Sequence, residues 1–394
     1  MKLLFLLMLI VTVAQAQDFQ DQLQKLLIEA KPGQVIEIPE GNYEINRQLN
    51  LMVNGVTIKG QGIDKSILSF KNQKQGAEGF SVTANNITFE DFTVQDMKGD
   101  GIKITRSKGV TIRRMRVEWT NGPDVNNGAY GLYPVMCKDV LIENSVVSGA
   151  SDAGIYVGQS RNIIIRNNEV FHNVAGIEVE NSIAADVYNN YVHDNTGGIL
   201  VFDMPDLTIY GESSRVYKNK IHHNNLSNFA PPTNIVGDVP AGTGLMVTAN
   251  RYVEAFENDF YQNKTSHIVL VSYMITGRDI DDEDYNPFPE GIYIYNNKYN
   301  EGGYDPEGGS SEMSQDLIEV LRESLPLPFP DIIYDGSINT DTLEDGRVPK
   351  HLRICIKDKA TFINLDAFSN DSRPSTDLKP FDCELEKLPE ISIP

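Results

Sequence analysis

The segment "EVFHNVAGIEVENSIAADVYNNYVHDNTGGILVFD", residues 169–203, contains one pattern twice. "NVAGIEVEN" is matched by "NTGGILVFD", and a glycine followed by an apolar residue marks the same point in both copies, 22 residues apart. The same pair recurs at Gly79-Phe80, Gly101-Ile102, Gly131-Leu132, Gly154-Ile155, Gly176-Ile177, Gly198-Ile199 and Gly244-Leu245. The steps of 22, 30, 23, 22, 22 and 46 residues indicate one period, with inserted loops in the longer steps.

A second set of segments alternates apolar and polar residues, including "NNITFEDFTV", "KGVTIRRMRV" and "RNIIIRNNEV". That alternation is typical of β-strands and not of helices. Short strands that recur about every 22 residues without an intervening helix predict a solenoid with about three strands per coil. Its coils would stack as parallel sheets.

Stacked coils place equivalent side chains above one another at about 4.8 Å. Two asparagine series meet this condition, one at Asn168, Asn190, Asn219, Asn258 and Asn297, the other at Asn173, Asn195, Asn224 and Asn263. Asparagine tolerates a left-handed bend, and its amide can hydrogen-bond to the next coil. We therefore predict two asparagine ladders with a structural role.

These coils resemble the right-handed parallel β-helix of the pectate-lyase-like superfamily. The run "DAGIYVGQSRNIIIRNN", "NVAGIEVENS", "NTGGILVFDMP" and "NFAPPTNIVGDVPAGTG" resembles a narrower family of exported bacterial parallel β-helix repeat proteins without settled activity. The resemblance implies an all-β, right-handed, single-stranded parallel β-helix over residues 17–300. In "DFQDQLQKLLIEA", Leu23, Leu26 and Leu27 lie on one face of a short helix, which would close the N-terminal end of the apolar core.

The repeat pattern fades after Asn300. "DLIEVLRESL" predicts a short amphipathic helix that ends at the proline cluster "LPLPFP", and "RICIKD" and "ATFINL" are candidate strands. We expect residues 301–394 to form an irregular tail that packs on the β-helix or caps its C-terminal end, and not an independent domain.

The first sixteen residues have the layout of a secretory signal peptide, with Lys2, an apolar run and Ala14-Gln15-Ala16. The apolar run is about half the roughly 20 residues of a membrane-spanning helix, so a membrane anchor is disfavoured. We expect a secreted or periplasmic protein. In that compartment Cys355 and Cys383 could form a disulfide, although connectivity cannot be deduced from the sequence, and Cys137 is expected to be a buried thiol.

The formal net charge of −21 argues against nucleic acid and anionic membranes as partners, because both reward clustered Lys and Arg. No later segment is long enough to span a membrane. We expect a monomer whose partner is a polysaccharide, with no nucleic acid and no membrane insertion.

The glycine-initiated strands carry two outward-facing columns, because alternate residues of a strand point to opposite faces. The first column is Ser81, Lys103, Tyr133, Tyr156, Glu178, Leu200, Met246 and Val269. The second is Thr83, Thr105, Val135, Gly158, Glu180, Phe202, Thr248 and Val271. Glu178 and Glu180 then share one exposed face at about 6–7 Å, close enough to raise a pKa, hold a divalent cation or divide acid and base roles.

The superfamily resemblance implies a mode of action seen in β-helix lyases and epimerases. In these enzymes a polymer lies along such a sheet, a cation or an arginine neutralises the uronate, and a base removes the C5 proton. Glu178, Glu180 and Tyr156 are the candidate catalytic residues. The candidate substrate contacts are Lys103, Tyr133, Arg106, Phe202 and Asp203. Glu178 and Glu180 are also candidate metal ligands, with Ca²⁺ as the cofactor.

Each of these roles has a structural alternative. Exposed strand glutamates are often solvated decoration, and an aspartate at a strand end, such as Asp203, often caps a turn. The outward apolar residues, Phe202 among them, require a cover. The proline-rich insertion "NLSNFAPPTNIVGDVPAGTG", residues 225–244 and here named the flap, is the candidate cover for that face.

The residue sets of the galacturonan hydrolases in this superfamily, Asn-Thr-Asp, Asp-Asp, Gly-His-Gly and Arg-Ile-Lys, do not occur in order, and the Asp-Pro-His-Asp motif of periplasmic alginate epimerases is missing. No catalytic set can therefore be carried over residue by residue. The leading hypothesis is an exported polysaccharide-active protein, a lyase or epimerase acting on uronate-containing glycan. The alternative is a noncatalytic envelope module that binds carbohydrate or protein.

Overall fold

The computed structural model describes residues 19–369 and 372–393. Within them the chain winds into coils whose strands form three parallel sheets of 11, 10 and 11 strands. The repeat predicts this stacking of parallel sheets, and the fold is the right-handed parallel β-helix that the resemblance implies. The proposed signal peptide, residues 1–16, lies outside the described residues, as does Gln17.

The strands of sheet A are β1 (Val35–Glu37), β4 (Thr57–Lys59), β7 (Ile87–Glu90), β10 (Lys108–Arg113), β13 (Lys138–Glu143), β16 (Arg161–Arg166), β19 (Ile183–Tyr188), β22 (Glu212–Tyr217), β25 (Arg251–Phe256), β28 (Glu290–Tyr295) and β31 (Cys355–Ile356). The strands of sheet B are β2 (Gly41–Glu44), β5 (Ser66–Ser69), β8 (Thr93–Gln95), β11 (Arg116–Glu118), β14 (Val146–Ser148), β17 (Glu169–Phe171), β20 (Tyr191–His193), β23 (Lys220–His222), β26 (Asp259–Tyr261) and β29 (Lys298–Asn300). The strands of sheet C are β3 (Arg47–Leu51), β6 (Gln75–Val82), β9 (Ile102–Thr105), β12 (Tyr130–Val135), β15 (Ala153–Gly158), β18 (Ala175–Glu180), β21 (Gly197–Phe202), β24 (Thr243–Thr248), β27 (Ser266–Val271), β30 (Ile332–Tyr334) and β32 (Phe362–Asn364).

The helices lie outside the coils. The α-helices are α1 (residues 19–29) and α2 (Glu312–Ser324). The short 3₁₀-helices are Ile235–Asp238, Tyr273–Thr276, Thr340–Thr342, Lys350–Leu352 and Lys379–Phe381. No helix in the described residues is both long and apolar enough to cross a bilayer.

The core lies between the three sheets and consists of inward-facing apolar side chains stacked from coil to coil. Ile155, Ile177 and Ile199 pair in register on β15, β18 and β21 and are fully buried. The register predicted from the glycine pairs is confirmed, since Glu178 pairs with Tyr156 on one side and with Leu200 on the other.

Both asparagine ladders are present, but the left-handed bend is made by a different residue. The backbone N–H and Nδ2 of Asn190 donate to Asn219 Oδ1, each at 3.0 Å, and Asn190 Nδ2 also donates to the carbonyl of Ile165. The positive φ angles belong to the residues just before the ladder positions, such as Asn189 and Lys218, both at 55°. That bend turns the following asparagine inward, where its amide satisfies backbone groups of the corner.

Helix α1 closes the N-terminal end of the core with two of its three predicted leucines. Leu23 and Leu27 are buried in the core cluster, whereas Leu26 is 45% exposed. Including Leu26 in the buried face was wrong, because α1 buries a narrow stripe on the first coil and Leu26 lies beside that stripe.

The region after residue 300 continues the solenoid. Strands β30 and β32 extend sheet C beyond β27, and β31 extends sheet A beyond β28. The predicted helix is α2, and both candidate strands are formed. Cys355 and Cys383 form a disulfide with a Cα–Cα distance of 4.9 Å, which fastens the end of the chain to sheet A, and Cys137 is a buried thiol.

Candidate functional site

The candidate site is a cavity of about 380 Å³ on the outer face of sheet C. Glu178 and Glu180 on β18 line one end of it. The sequence predicted that both carboxylates share one exposed outward face beneath the flap, and the exposure is wrong: Glu178 is 2% exposed and Glu180 is 9% exposed. Both do face outward from the sheet, but the flap, α2 and later parts of the tail cover that face.

Burial changes the protonation of these acids. Asp152, which immediately precedes β15, lies beside them, and the three form what we call the acid cluster. Burial, together with the charges of Asp152 and Glu180, raises the pKa of Glu178 well above its usual range. Burial raises the pKa of Glu180 to about 7, and burial and the Glu180 charge raise that of Asp152. At neutral pH the cluster therefore shares protons among its carboxyl groups.

Glu178 Oε1 is buried and has no hydrogen-bond partner among the described residues. A buried polar atom left without a partner costs about 1–3 kcal/mol. Since this oxygen belongs to a side chain that lines the cavity, its free hydrogen-bonding position is available to a ligand.

Tyr156 reaches Glu180 because Gly158 leaves space for its ring. Gly158 pairs with Glu180 in the neighbouring strand, and a Cβ atom on Gly158 would lie 2.1 Å from the Tyr156 hydroxyl oxygen and 2.5 Å from its ring. The Tyr156 hydroxyl hydrogen-bonds to Glu180, which lowers the pKa of that carboxyl and partly opposes the effect of burial. The glycine therefore positions the tyrosine on the acid.

Three tyrosines form one wall of the acid cluster. The ring centroid of Tyr130 lies 4.5 Å from that of Tyr133 and 4.6 Å from that of Tyr156. The ring centroids of Tyr133 and Tyr156 are 4.9 Å apart. Burial and nearby carboxylates raise the pKa of Tyr133 to about 12 and that of Tyr156 well above its usual value. These hydroxyl groups are therefore protonated hydrogen-bond donors and not tyrosinate bases.

Lys103 lies at the edge of this wall and is held by its neighbours. Its Nζ lies 4.9 Å from the Tyr133 ring centroid, 3.4 Å from Asp100 Oδ2 and 3.7 Å from Glu78 Oε1. Two carboxylates therefore neutralise the lysine. Arg106 is not brought to the cluster, since it lines a separate shallow pocket with Ser107.

Phe202 and Asp203 lie at the other side of the acid cluster. Phe202 pairs with Glu180, is buried and forms part of the cavity floor. Asp203 accepts hydrogen bonds from Asn250 Nδ2 at 2.8 Å and from the Gly211 N–H at 2.7 Å, while burial raises its pKa to about 7. Asp203 thus fastens its turn, and its contact with substrate stays a prediction.

The flap covers the apolar floor as expected. Val236 and Val239 from the flap pack in one buried cluster with Leu200 and Phe202. The covering contribution of α2 was not anticipated.

A metal role for Glu178 and Glu180 stays a prediction. In residues 19–369 and 372–393, no three His, Cys, Asp or Glu side chains are grouped so as to hold a metal ion. Calcium takes about six to eight oxygen ligands, so two buried, partly protonated carboxyls are a poor site for it.

The outward columns omitted two residues that line the cavity, Tyr130 and Asp152. Strict alternation fails at the strand start, because Gly154 and Ile155 both face the core: a Cβ on Gly154 would lie 2.7 Å from Val170 Cγ1. Positions before the glycine consequently face outward. The sequence leaves Asp152, two residues before Gly154, open between a turn cap and a functional residue, whereas Tyr130, directly before Gly131, was missed.

The protonation of the acid cluster predicts a specific pH dependence of stability. Glu180 retains its proton in the folded state up to a pKa of about 7, whereas in the unfolded chain it ionises near 4.3. Between these values the folded state binds more protons, so the free energy of unfolding falls as the pH rises. We expect the free energy of unfolding, measured by urea titration, to fall between pH 5 and pH 8 by roughly 2 kcal/mol more in the native protein than in Glu180→Gln. Equal differences in both proteins would contradict the raised pKa.

A protein-family model agrees with the topology. Residues 53–213 match the family model described as right handed beta helix region. No curated protein matches the sequence.

Among solved structures, a mutant DFA-IIIase from Arthrobacter chlorophenolicus A6 in complex with DFA-III is 14% identical, with a TM-score of 0.47, over 81% of this chain and 88% of that chain. The A-module of a mannuronan C-5 epimerase from Azotobacter vinelandii is 13% identical, with a TM-score of 0.38, over 74% of this chain and 95% of that chain. An N-terminal fragment of gene product 12 of bacteriophage Phi29 is 14% identical, with a TM-score of 0.44, over 72% of this chain and 54% of that chain. The parallel strand pairing and the family-model match together establish the fold as a right-handed parallel β-helix.

Proposed function

We propose that this chain is a carbohydrate-active enzyme that breaks or transfers a glycosidic bond at the acid cluster. The observation that carries the proposal is the burial of Asp152, Glu178 and Glu180 against one another at the end of a cavity. Burying like charges together opposes folding. Acids that only decorated the protein would therefore be expected on the solvent-exposed surface and not buried together.

The two glutamates differ in protonation, as acid–base catalysis requires. Glu178 has the more strongly raised pKa and is the candidate acid, which would protonate the leaving oxygen. Glu180, with a pKa of about 7 and a hydrogen bond from Tyr156, is the candidate base or nucleophile. Tyr130, which lines the cavity, offers an aromatic face for a sugar ring.

The charge of the site favours a neutral glycan over a uronate. Within the described residues the cavity lining includes no Lys, Arg or His, Lys103 is neutralised by Glu78 and Asp100, and Arg106 lies elsewhere. A uronate carboxylate would meet the acid cluster without a compensating cation. Lyase or epimerase chemistry therefore stays a prediction from the resemblance, with less support than hydrolysis or transfer.

Export is part of the proposal. The signal-like sequence at residues 1–16 motivates it, and the disulfide between Cys355 and Cys383 supports it because such bonds persist in oxidising compartments.

A glycan panel tests the proposed function. We expect new reducing ends or transfer products from a neutral oligosaccharide, and no ultraviolet absorbance of unsaturated ends from polyuronates. Unsaturated products from a polyuronate would instead establish a lyase. Measurable glycan binding with no turnover across the panel would establish a noncatalytic module.

The Gly158 position gives a second test of the site. We expect Gly158→Ala to lower kcat/KM about tenfold or more, because the added Cβ displaces the Tyr156 ring and its hydrogen bond to Glu180. Tyr156→Phe, which removes the hydroxyl without moving the ring, should cause a loss of similar size. Full activity in both variants would show that the hydrogen bond to Glu180 has no part in catalysis.

A further inference from the structure

The cavity continues from the acid cluster along sheet C, away from the tyrosines. It crosses β18, β21, β24, β27 and β30 and reaches Leu365, just after β32. Five strand spacings of about 4.8 Å give it a length of ~24 Å. Its floor in this direction, which we call the apolar groove, is formed by Leu200, Phe202, Met246, Val269, Val271 and Ile333.

The walls of the apolar groove are also mainly apolar, with Asp238, Ser314 and Ser324 as polar members. The flap contributes Val236 and Val239 on one side, and α2 contributes Leu317 and Leu321 on the other. The two walls are joined near the start of α2, where the Ser311 N–H donates to the Gly237 carbonyl at 3.2 Å.

The two walls also meet at close range at Gly309. A Cβ on Gly309 would lie 2.1 Å from the Gly237 carbonyl oxygen, so only glycine allows this approach. The groove is therefore a bounded channel formed by three separate parts of the chain. It is not an apolar patch left open on the surface.

The residues that line the channel identify the chemistry of its occupant. A sugar placed there would exchange its hydrogen bonds with water for contact with apolar side chains, which costs free energy. A hydrocarbon chain would instead gain free energy by leaving water. The volume of about 380 Å³ is in the range of small-molecule sites. Val320, on the α2 rim, is 59% exposed, so the channel has a side that faces solvent.

We propose that the site takes a saccharide that carries a linear aliphatic chain, with the sugar at the acid cluster and the chain in the apolar groove. This rests on the proposed function, since the acid cluster supplies the end at which the sugar reacts. The occupant is uncharged, because the lining has no basic side chain among the described residues to pair with a phosphate or a fatty-acid carboxylate. The acid cluster would repel either anion.

Binding of alkyl glucosides tests this inference. Calorimetry with methyl, hexyl, octyl and decyl glucoside, each below its critical micelle concentration, should show affinity rising about fourfold for each added methylene until the groove is full. Sodium decanoate at pH 8 should bind at least tenfold more weakly than decyl glucoside. Equal affinities for methyl and decyl glucoside would overturn the proposal, and tighter binding of decanoate would assign the groove to free fatty acids instead.

Two matched methionine variants localise the binding. Met246→Trp places a larger side chain on the groove floor and should weaken decyl glucoside binding tenfold or more. Met52→Trp makes the same change at an exposed site of the first coils, 77% exposed, and should leave binding unchanged. The melting temperatures of both variants, measured by circular dichroism, should lie within a few degrees of that of the native protein. Unaltered binding of decyl glucoside by Met246→Trp would overturn the assignment.

The inference and the proposed function fail separately. Glu178→Gln should retain the gain in affinity for each added methylene, because the apolar groove does not use the carboxylate. Decyl glucoside binding without turnover of any glycan would refute the proposed function and leave the apolar site standing. Turnover of plain oligosaccharides, with no effect of an alkyl group on affinity, would refute the aliphatic chain alone.

Discussion

Glu178→Gln and Glu180→Gln are each expected to lower kcat/KM by about 10²–10⁴-fold on the glycan that the panel identifies. Glutamine has nearly the shape of glutamate but can neither give up nor accept the proton in question. The loss should appear mainly in kcat, because the exchanged groups act on the bond that breaks.

The same substitutions should leave the fold intact or stabilise it. At pH 8 each removes an acid whose burial among like charges opposes folding, so the melting temperature should stay the same or rise. Glu257→Gln is the matched control, because Glu257 forms a surface ion pair with Lys218 at 3.6 Å and should be neutral in both assays. Full activity in the Glu178 and Glu180 variants would mean that these residues do not catalyse, and a sharp loss of stability would mean that they serve the fold.

Asn219→Ala is expected to lower the free energy of unfolding by about 3–5 kcal/mol. Asn219 Oδ1 accepts from the N–H and Nδ2 of Asn190, and Asn219 Nδ2 donates to the carbonyl of Val187 at 2.9 Å and to Asn258 Oδ1 at 3.0 Å. Alanine would remove the partner of the Asn190 N–H, while the Val187 carbonyl, Asn190 Nδ2 and Asn258 Oδ1 would each lose one hydrogen bond in the neighbouring coils.

Urea unfolding of Asn219→Ala measures this loss, with Asn126→Ala as the control. Asn126 is an exposed asparagine of a loop whose side chain contacts Asp124, and its replacement should change the free energy of unfolding by less than about 1 kcal/mol. A loss in Asn219→Ala no greater than in the control would show that the ladder is not a principal source of stability.

The fold was predictable because its information is local and repeated. The 22-residue spacing of Gly176 and Gly198 fixes the register of sheet C, and that register brings Glu178 beside Tyr156 and Leu200 without any tertiary information. Each coil pairs only with its neighbours, so a local rule extends through the solenoid.

The environment of the site was not predictable in the same way. The cover over Glu178 and Glu180 includes α2, more than 100 residues later in the chain, and no periodicity relates its Leu317 and Leu321 to β18. Burial, and with it the raised pKa of both acids, depends on that non-local packing. The pairing of Cys355 with Cys383 was equally open, because neither cysteine belongs to the repeat.

The proposed chemistry depends on an acid cluster that holds a proton at neutral pH beneath its cover. The most direct test is an NMR titration of the protein with ¹³C-labelled glutamate carboxyls, using Glu178→Gln and Glu180→Gln to assign the signals. We expect the Glu180 signal to titrate near pH 7 and the Glu178 signal to show a carboxyl group that stays protonated beyond the usual range of glutamate. Titration of both signals near pH 4 would contradict it.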